Sequence, residues 1–147
     1  MASPERITAN VDRRAVIRGA LVGLALIVPV TAVGAILDRA VDDFDDTAGV
    51  GVLFVALLGC FAGAGWVASR RAGAAPLTNG ALAALGALVL WLPIRVVIWL
   101  VRDDSRGLVR GDDAALPGQL LGIAVFATLL GMAGAVVAAR QLRRSAR

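Results

Sequence analysis

Apolar residues in this chain fall into four long runs that short polar connections separate. The runs contain 19, 23, 25 and 26 residues and cover positions 19–37, 47–69, 77–101 and 114–139. A helix rises about 1.5 Å per residue, so about 20 apolar residues cross a hydrocarbon core roughly 30 Å thick. The pattern therefore predicts an all-α fold, an integral membrane four-helix bundle, as a single transmembrane domain over residues 1–147.

The composition points to the same class. Hydrophobic residues make up 59% of the chain and charged residues 18%, whereas soluble domains are about half apolar and about a quarter charged. His and Tyr are absent and Cys60 is the only cysteine, so histidine-based catalysis and paired-cysteine chemistry within one chain are excluded. The sequence thus predicts no catalytic, cofactor-binding or metal site, and a protein that is not an enzyme.

The arginines distinguish the two sides of the membrane. All fifteen basic residues are arginine, and ten of them lie in the two tails and the second connection beside only two acidic residues. The first and third connections hold four arginines and nine aspartates. By the positive-inside rule, this multi-pass protein is expected in the plasma membrane with its N- and C-termini in the cytoplasm. Aromatic residues are not interleaved with these arginines, which favours the lipid bilayer over nucleic acid as their partner.

The segment that contains Arg13 and Arg14 also resembles a twin-arginine export signal, with Ala32 and Ala35 as small residues near a cleavage point. Cleavage there is the alternative to a retained first helix. The 19 apolar residues after Arg18 suffice to span the membrane, and three more runs follow. The sequence therefore favours a retained helix.

Arg95 is the only charged residue inside a predicted span. An arginine at a helix centre costs about 3 kcal/mol on insertion, but the Leu, Ile and Val residues of the same run each return roughly 0.3–0.6 kcal/mol. Its side chain is expected either to reach the outer surface or to face the bundle interior and bind an anionic group. Pro29 and Pro93 are expected to kink their helices, as packing features or as hinges or substrate contacts.

Small residues recur at four-residue spacing, which lets helix backbones approach closely in a membrane. Internal packing is the favoured role, and contact with a second copy or another membrane protein is the alternative for one or two pairs. The sequence assigns helix packing to Gly19, Gly23, Gly59, Gly63, Gly118 and Gly122, and the same spacing occurs at Ala83, Ala87, Gly131 and Ala135.

The two halves of the chain share short sequence words. Residues 19–21 and 80–82 both read GAL, residues 57–59 and 129–131 both read LLG, and Pro29 and Pro93 lie in the second half of their runs. These similarities predict two helical hairpins related as parallel repeats by an axis along the membrane normal. Chance recurrence is the alternative, because Ala, Leu and Gly dominate the composition.

The first connection contains the densest acidic cluster, at Asp42, Asp43, Asp45 and Asp46. A divalent cation is one interpretation. Its spacing does not match a helix–loop–helix calcium site, so a solvated acidic loop is favoured.

Residues 59–73 read GCFAGAGWVASRRAG and residues 76–82 read PLTNGAL. This junction resembles small uncharacterised four-helix multi-pass membrane proteins of Gram-positive bacteria, which carry a Gly-rich helix end, an Ala-x-Arg-Arg word and an Asn- or His-Gly-Ala helix start. Exclusive use of arginine with abundant alanine is typical of a high-GC genome such as an actinobacterial one. The resemblance covers about 25 residues and implies no activity.

The sequence therefore favours a structural, accessory or interaction protein of the membrane that acts through lateral helix contacts. The alternative is a small channel or transporter acting as an oligomer, to which Arg95, the two prolines and the repeat would belong.

Overall fold

A computed structural model describes residues 11–41, 43–72, 74–102 and 116–145, with residues 45, 95–96, 98–102 and 116–120 described by their backbone alone. Helices account for 93% of these residues, and no strand occurs among them. The four long helices are α1 (Arg13–Ala40), α2 (Ala48–Arg71), α3 (Pro76–Arg102) and α4 (Leu116–Ser145). Each contains a stretch long and apolar enough to cross a membrane, which in α3 is Pro76–Ile94 and in α4 is Leu121–Ser145. The predicted all-α, four-helix fold is confirmed.

Local sequence explains where three of the helices begin. The Asp12 carboxylate accepts hydrogen bonds from the backbone N–H groups of Arg14 and Ala15 at 3.0 and 3.1 Å, which caps the first turn of α1. Thr47 caps α2 in the same way, because its Oγ1 accepts from the N–H of Gly49 at 3.3 Å. Helix α3 begins at Pro76, where the missing N–H removes no intrahelical hydrogen bond.

The first connection folds back onto the helices. Residues Phe44–Asp46 form one turn of 3₁₀ helix that contacts α1 and α2. The Phe44 side chain is buried, and Thr47 Oγ1 donates a hydrogen bond to its carbonyl at 2.8 Å. Asp43 adopts the left-handed conformation, with φ 56°, where the chain turns into this helix. The exposed Asp43 and Asp46 thus flank a buried aromatic side chain.

Helices α2 and α3 form the centre of the bundle. They contact each other, and α1 and α4 each contact both of them, whereas α1 and α4 do not touch within the described residues. An axis that exchanged the two hairpins would require an α1–α4 contact to match the contact between α2 and α3. The contacts between the helices do not have this symmetry. The predicted repeat is therefore supported only by the short identical segments of the sequence.

The interior of the bundle consists mainly of small side chains. Among the described residues, ten of the fifteen buried hydrophobic ones are alanine. Large aliphatic and aromatic side chains such as Val52, Phe54, Val89 and Leu121 are more than half exposed on the outside. Larger buried residues gather in a cluster that includes Ile27, Phe61 and Leu88. Small residues inside and large ones outside is the arrangement expected when lipid, and not water, surrounds the helices.

Glycines bring α4 against α2 and α3. A Cβ atom added at Gly65 of α2 would overlap the backbone carbonyl of Gly131 in α4, and one at Gly134 would overlap that of Ala62. A Cβ atom at Gly80 of α3 would lie 2.7 Å from the same Gly131 oxygen. Contacts this close require a position without a side chain, so Gly131 marks the point where three helix backbones meet.

Helix α1 approaches the opposite side of the central pair through two glycines. A Cβ atom at Gly19 would lie 2.7 Å from the Ala64 carbonyl of α2 and 2.8 Å from Ala83 Cβ of α3. A Cβ atom at Gly23 would lie 2.8 Å from the Cβ atoms of both Ala64 and Ala87. Gly19 and Gly23 therefore lie in a three-helix contact.

The other glycines assigned to packing occupy different surroundings. A Cβ atom at Gly63 would make an ordinary contact, 3.4 Å from the Leu26 side chain. One at Gly59 or Gly122 would meet no heavy atom within 4 Å. These two glycines therefore face away from the packed interior, and the surroundings of Gly118 lie outside the described part of the chain.

Alanine substitutions on one helix test this distinction. We expect Gly65→Ala to lower the free energy of unfolding by about 1–3 kcal/mol, because the methyl group forces α2 and α4 apart. Gly59→Ala on the same helix should leave it unchanged or raise it by up to about 1 kcal/mol, because alanine favours the helix and has open space there. Unfolding of the purified proteins by SDS in mixed micelles measures both. Equal losses at the two positions would contradict this packing.

Candidate functional site

One end of the bundle collects most of the arginines. The start of α1 meets the start of α3 where the N–H of Asp12 donates to Asn79 Oδ1 at 2.9 Å. The end of α2 meets the end of α4 where Trp66 Nε1 donates to Gln141 Oε1 at 3.1 Å. We call this the arginine-rich end. Its exposed arginines are Arg13, Arg14, Arg18, Arg70, Arg71, Arg140, Arg143 and Arg144.

Asn79 ties three segments together at this end. The side chain is fully buried, and its Nδ2 donates to the carbonyls of Ala74 and Ala75 at 2.8 and 3.1 Å. Its Oδ1 accepts from Asp12, the residue that caps α1. Ala75 adopts a left-handed conformation, with φ 46°, which a residue other than glycine rarely adopts without support. Asn79 thus holds the strained α2–α3 connection and the start of α1 in one arrangement.

Ser69 is the second buried polar residue of this region, at 3% exposure. Its hydroxyl lies 2.8 Å from the Gly65 carbonyl of its own helix and 2.8 Å from the Pro76 carbonyl at the start of α3. The single hydroxyl proton serves one carbonyl at a time. Every buried side-chain nitrogen and oxygen atom of the described residues has a hydrogen-bond partner, so this polar cluster is internally satisfied and leaves no group for a ligand.

A cleft opens between the ends of α2 and α4. It has a volume of about 290 Å³ and is lined by Arg70, Gln141, Leu142, Arg144 and Ser145. We refer to it as the α2–α4 cleft.

One wall of the cleft is held in place by aromatic and amide contacts. The Arg70 guanidinium lies 4.7 Å from the centroid of the Trp66 ring, within the range of a cation–π interaction. Gln141 fixes the indole by accepting from its Nε1, and Ser145 Oγ donates to the Gln141 carbonyl at 3.2 Å. Arg70 and Arg144 form no ion pair with a carboxylate among the described residues. Their positive charges are therefore uncompensated by described protein groups.

The intramembrane residues that the sequence singled out are not part of this end. Pro29 and Pro93 lie inside α1 and α3, both exposed on the outer surface, and both helices continue through them. Close to Pro29, Thr31 Oγ1 lies 3.0 and 2.9 Å from the carbonyls of Ile27 and Val28 and is placed to donate to them. Arg95 lies in α3, but its side chain lies outside the described part of the structure.

Comparisons of this chain with known protein families, with curated proteins and with solved structures found no match.

Whether the acidic first connection binds a divalent cation is a question that the described residues address only in part. Within the described residues, no three His, Cys, Asp or Glu side chains are placed to hold a metal ion. Asp42 lies outside the described residues, and Asp45 is described by its backbone alone. Cys60 is buried in the core, with its Sγ 3.2 Å from the carbonyl of Ala56.

Sequence reasoning did not select Asn79 or the α2–α4 cleft. Asn79 lies in a short segment typical of a helix start, and nothing in that segment indicates burial. Gln141 lies in a polar tail, whose composition predicts only that it is exposed. The signal present in the sequence was the four-residue spacing of Trp66 and Arg70, which places an aromatic ring and a cation on the same helix face.

Substitution of Asn79 tests the role of the polar cluster. We expect Asn79→Ala to lower the free energy of unfolding by about 1–3 kcal/mol, because it removes the side-chain partners of the Asp12 N–H and of the Ala74 carbonyl. The Ala75 carbonyl keeps its hydrogen bond from the backbone N–H of residue 79, at 3.1 Å. Amide hydrogen exchange should accelerate at the start of α1 as well as in the α2–α3 connection. Thr78→Ala is the matched control, since the neighbouring hydroxyl makes no hydrogen bond within the described residues. Faster exchange in the connection alone would mean that Asn79 does not hold α1.

Proposed function

We propose that this multi-pass membrane protein is a structural or accessory protein of the plasma membrane that acts by binding other membrane-embedded helices, and that it is not an enzyme. The observation that carries the proposal is the closed interior: alanine and glycine bring the helix backbones into contact, and the buried polar groups of the described residues already have partners. A bundle packed in this way presents its lateral faces to other helices.

One exposed face of α2, formed by Gly51, Val52, Val55 and Gly59, supports this proposal. Gly51 and Gly59 are exposed on α2, and a Cβ atom at either would meet nothing within 4 Å. Val52 and Val55 beside them are 68% and 66% exposed. Small residues bordered by β-branched ones allow another helix to approach closely in lipid. We therefore propose this face of α2 as the contact with a second copy or with another membrane protein.

Substitution at Gly59 separates association from folding. We expect Gly59→Leu to leave the folded yield unchanged, because Gly59 is exposed and a Cβ atom there would meet no heavy atom within 4 Å. It should weaken association by about 1–2 kcal/mol, roughly tenfold, because the leucine holds the partner helix away. Ala133→Leu, at an exposed position of α4 and therefore outside this face, is the control. Membrane-permeant cross-linking, followed by purification of the tagged protein in mild detergent, measures self-association and partner recovery together.

The same preparation tests the channel or transporter alternative. The protein of the original sequence is reconstituted in liposomes, and transport of ions or small solutes is measured. Transport, together with the lack of a stoichiometric partner in the purification, would contradict the accessory function and favour a channel or transporter. Cross-linking that Gly59→Leu leaves unchanged would exclude this face of α2 as the contact.

We further propose that the arginine-rich end and both termini face the cytoplasm. The support is the separation of charge: eight exposed arginines gather at this end, whereas Asp43 and Asp46 are exposed in the connection between the opposite ends of α1 and α2. Retention of arginine on the cytoplasmic side is the general behaviour of short membrane loops and tails.

Cysteine labelling measures this orientation. In a Cys60→Ala background, Asp46→Cys should react with a membrane-impermeant maleimide in intact cells. Ser145→Cys should react only after the cells are permeabilised. The protein of the original sequence, which retains Cys60, should stay unlabelled because Cys60 is buried in the core. Labelling of Ser145→Cys in intact cells would reverse the proposed orientation.

A further inference from the structure

The α2–α4 cleft combines features that a closed helical bundle does not need for its stability. Its polar lining consists of two arginines, an amide and a hydroxyl, and Leu142 adds an apolar wall. We infer that this cleft binds a phosphate group, and its surroundings favour the headgroup of an anionic phospholipid as the carrier. The inference does not depend on which partner the bundle has.

The donors of the cleft suit a phosphate. Arginine guanidinium groups bind phosphate oxygens through two parallel hydrogen bonds, which are strong because both partners are charged. Arg70 is held against the Trp66 ring, so less side-chain freedom is lost when it binds. Gln141 uses its Oε1 for Trp66, and its Nε2 has no acceptor within the described residues. Arg70, Arg144 and the Gln141 amide thus supply donors from both helices.

The electrostatics of the cleft favour an anion. Each helix C-terminus carries about half a negative charge, which by itself would repel a phosphate. The two helix ends together contribute roughly one negative charge, whereas Arg70 and Arg144 contribute two positive charges. Arg71, Arg140 and Arg143 add positive charge nearby, on the same two helix ends. The net potential is therefore positive.

The position of the cleft favours a lipid over a soluble phosphate compound. Tryptophan and arginine at the end of a membrane-spanning helix lie at the level of the lipid headgroups. Leu142 is 46% exposed, which provides apolar surface beside the polar groups.

Matched charge variants test the inference. The cleft variant is Arg70→Gln with Arg144→Gln, and the control is Arg71→Gln with Arg143→Gln. Both remove two positive charges from the last turns of the same two helices, but the control residues do not line the cleft. Native mass spectrometry of the full-length protein in detergent then measures the binding of phosphatidylglycerol, of phosphatidylcholine and of inorganic phosphate.

We expect phosphatidylglycerol to bind about tenfold more weakly to the cleft variant, and no more than about twofold more weakly to the control. Phosphatidylcholine should bind weakly to all three proteins. Binding of inorganic phosphate at millimolar concentration, with displacement of phosphatidylglycerol, would keep the phosphate site but overturn the lipid as its carrier. Equal weakening in the two double variants would show a general effect of surface charge and would overturn the site. Unchanged circular dichroism of both variants excludes unfolding as the cause.

Discussion

Close approach of helix backbones is the constraint on which the rest of this structure depends. In lipid the apolar surface of a helix gains little by leaving its surroundings, so helices associate where their surfaces fit most closely. Gly131 lies where the backbones of α2, α3 and α4 meet, and Gly19 brings α1 against the other side of α2 and α3. Without side chains at these positions, dispersion contacts extend along the backbones themselves. Large side chains are then left for the lipid-facing surface.

This packing has a consequence for the polar residues. Helix α2 is joined to α3 by only four residues, and the connection must turn sharply where both helices already lie in contact. Ala75 takes up a left-handed conformation in this turn, and the buried side chains of Ser69 and Asn79 bind the carbonyls around it. Because the start of α1 is bound to Asn79 as well, three helices are joined at the arginine-rich end. In the α2–α4 cleft, Arg70 is positioned by its contact with the Trp66 ring, which Gln141 in turn holds by a hydrogen bond.

The roles of the interior and of the surface are therefore separate. The interior is closed by small residues and by a satisfied polar cluster, which together hold the helices in register. The surface offers two features of different chemistry, an exposed apolar face on α2 and a positively charged cleft at the ends of α2 and α4. The first of these features is the proposed contact with another helix, and the second is the proposed phosphate site.

The sequence by itself determined the class of fold, because the length of an apolar run is set by the thickness of the membrane and needs no tertiary information. It also placed Gly19 and Gly23 among the packing glycines. It could not decide whether Gly59 and Gly63 or Gly65 and Ser69 form the packed face of α2, because both pairs have four-residue spacing. Only the position of the neighbouring helices decides which face is covered. The burial of Asn79 and the union of Trp66 with Gln141 depend on segments far apart in the chain. Those contacts exist only because four helices pack together, so the tertiary structure alone decided where the polar chemistry of this protein lies.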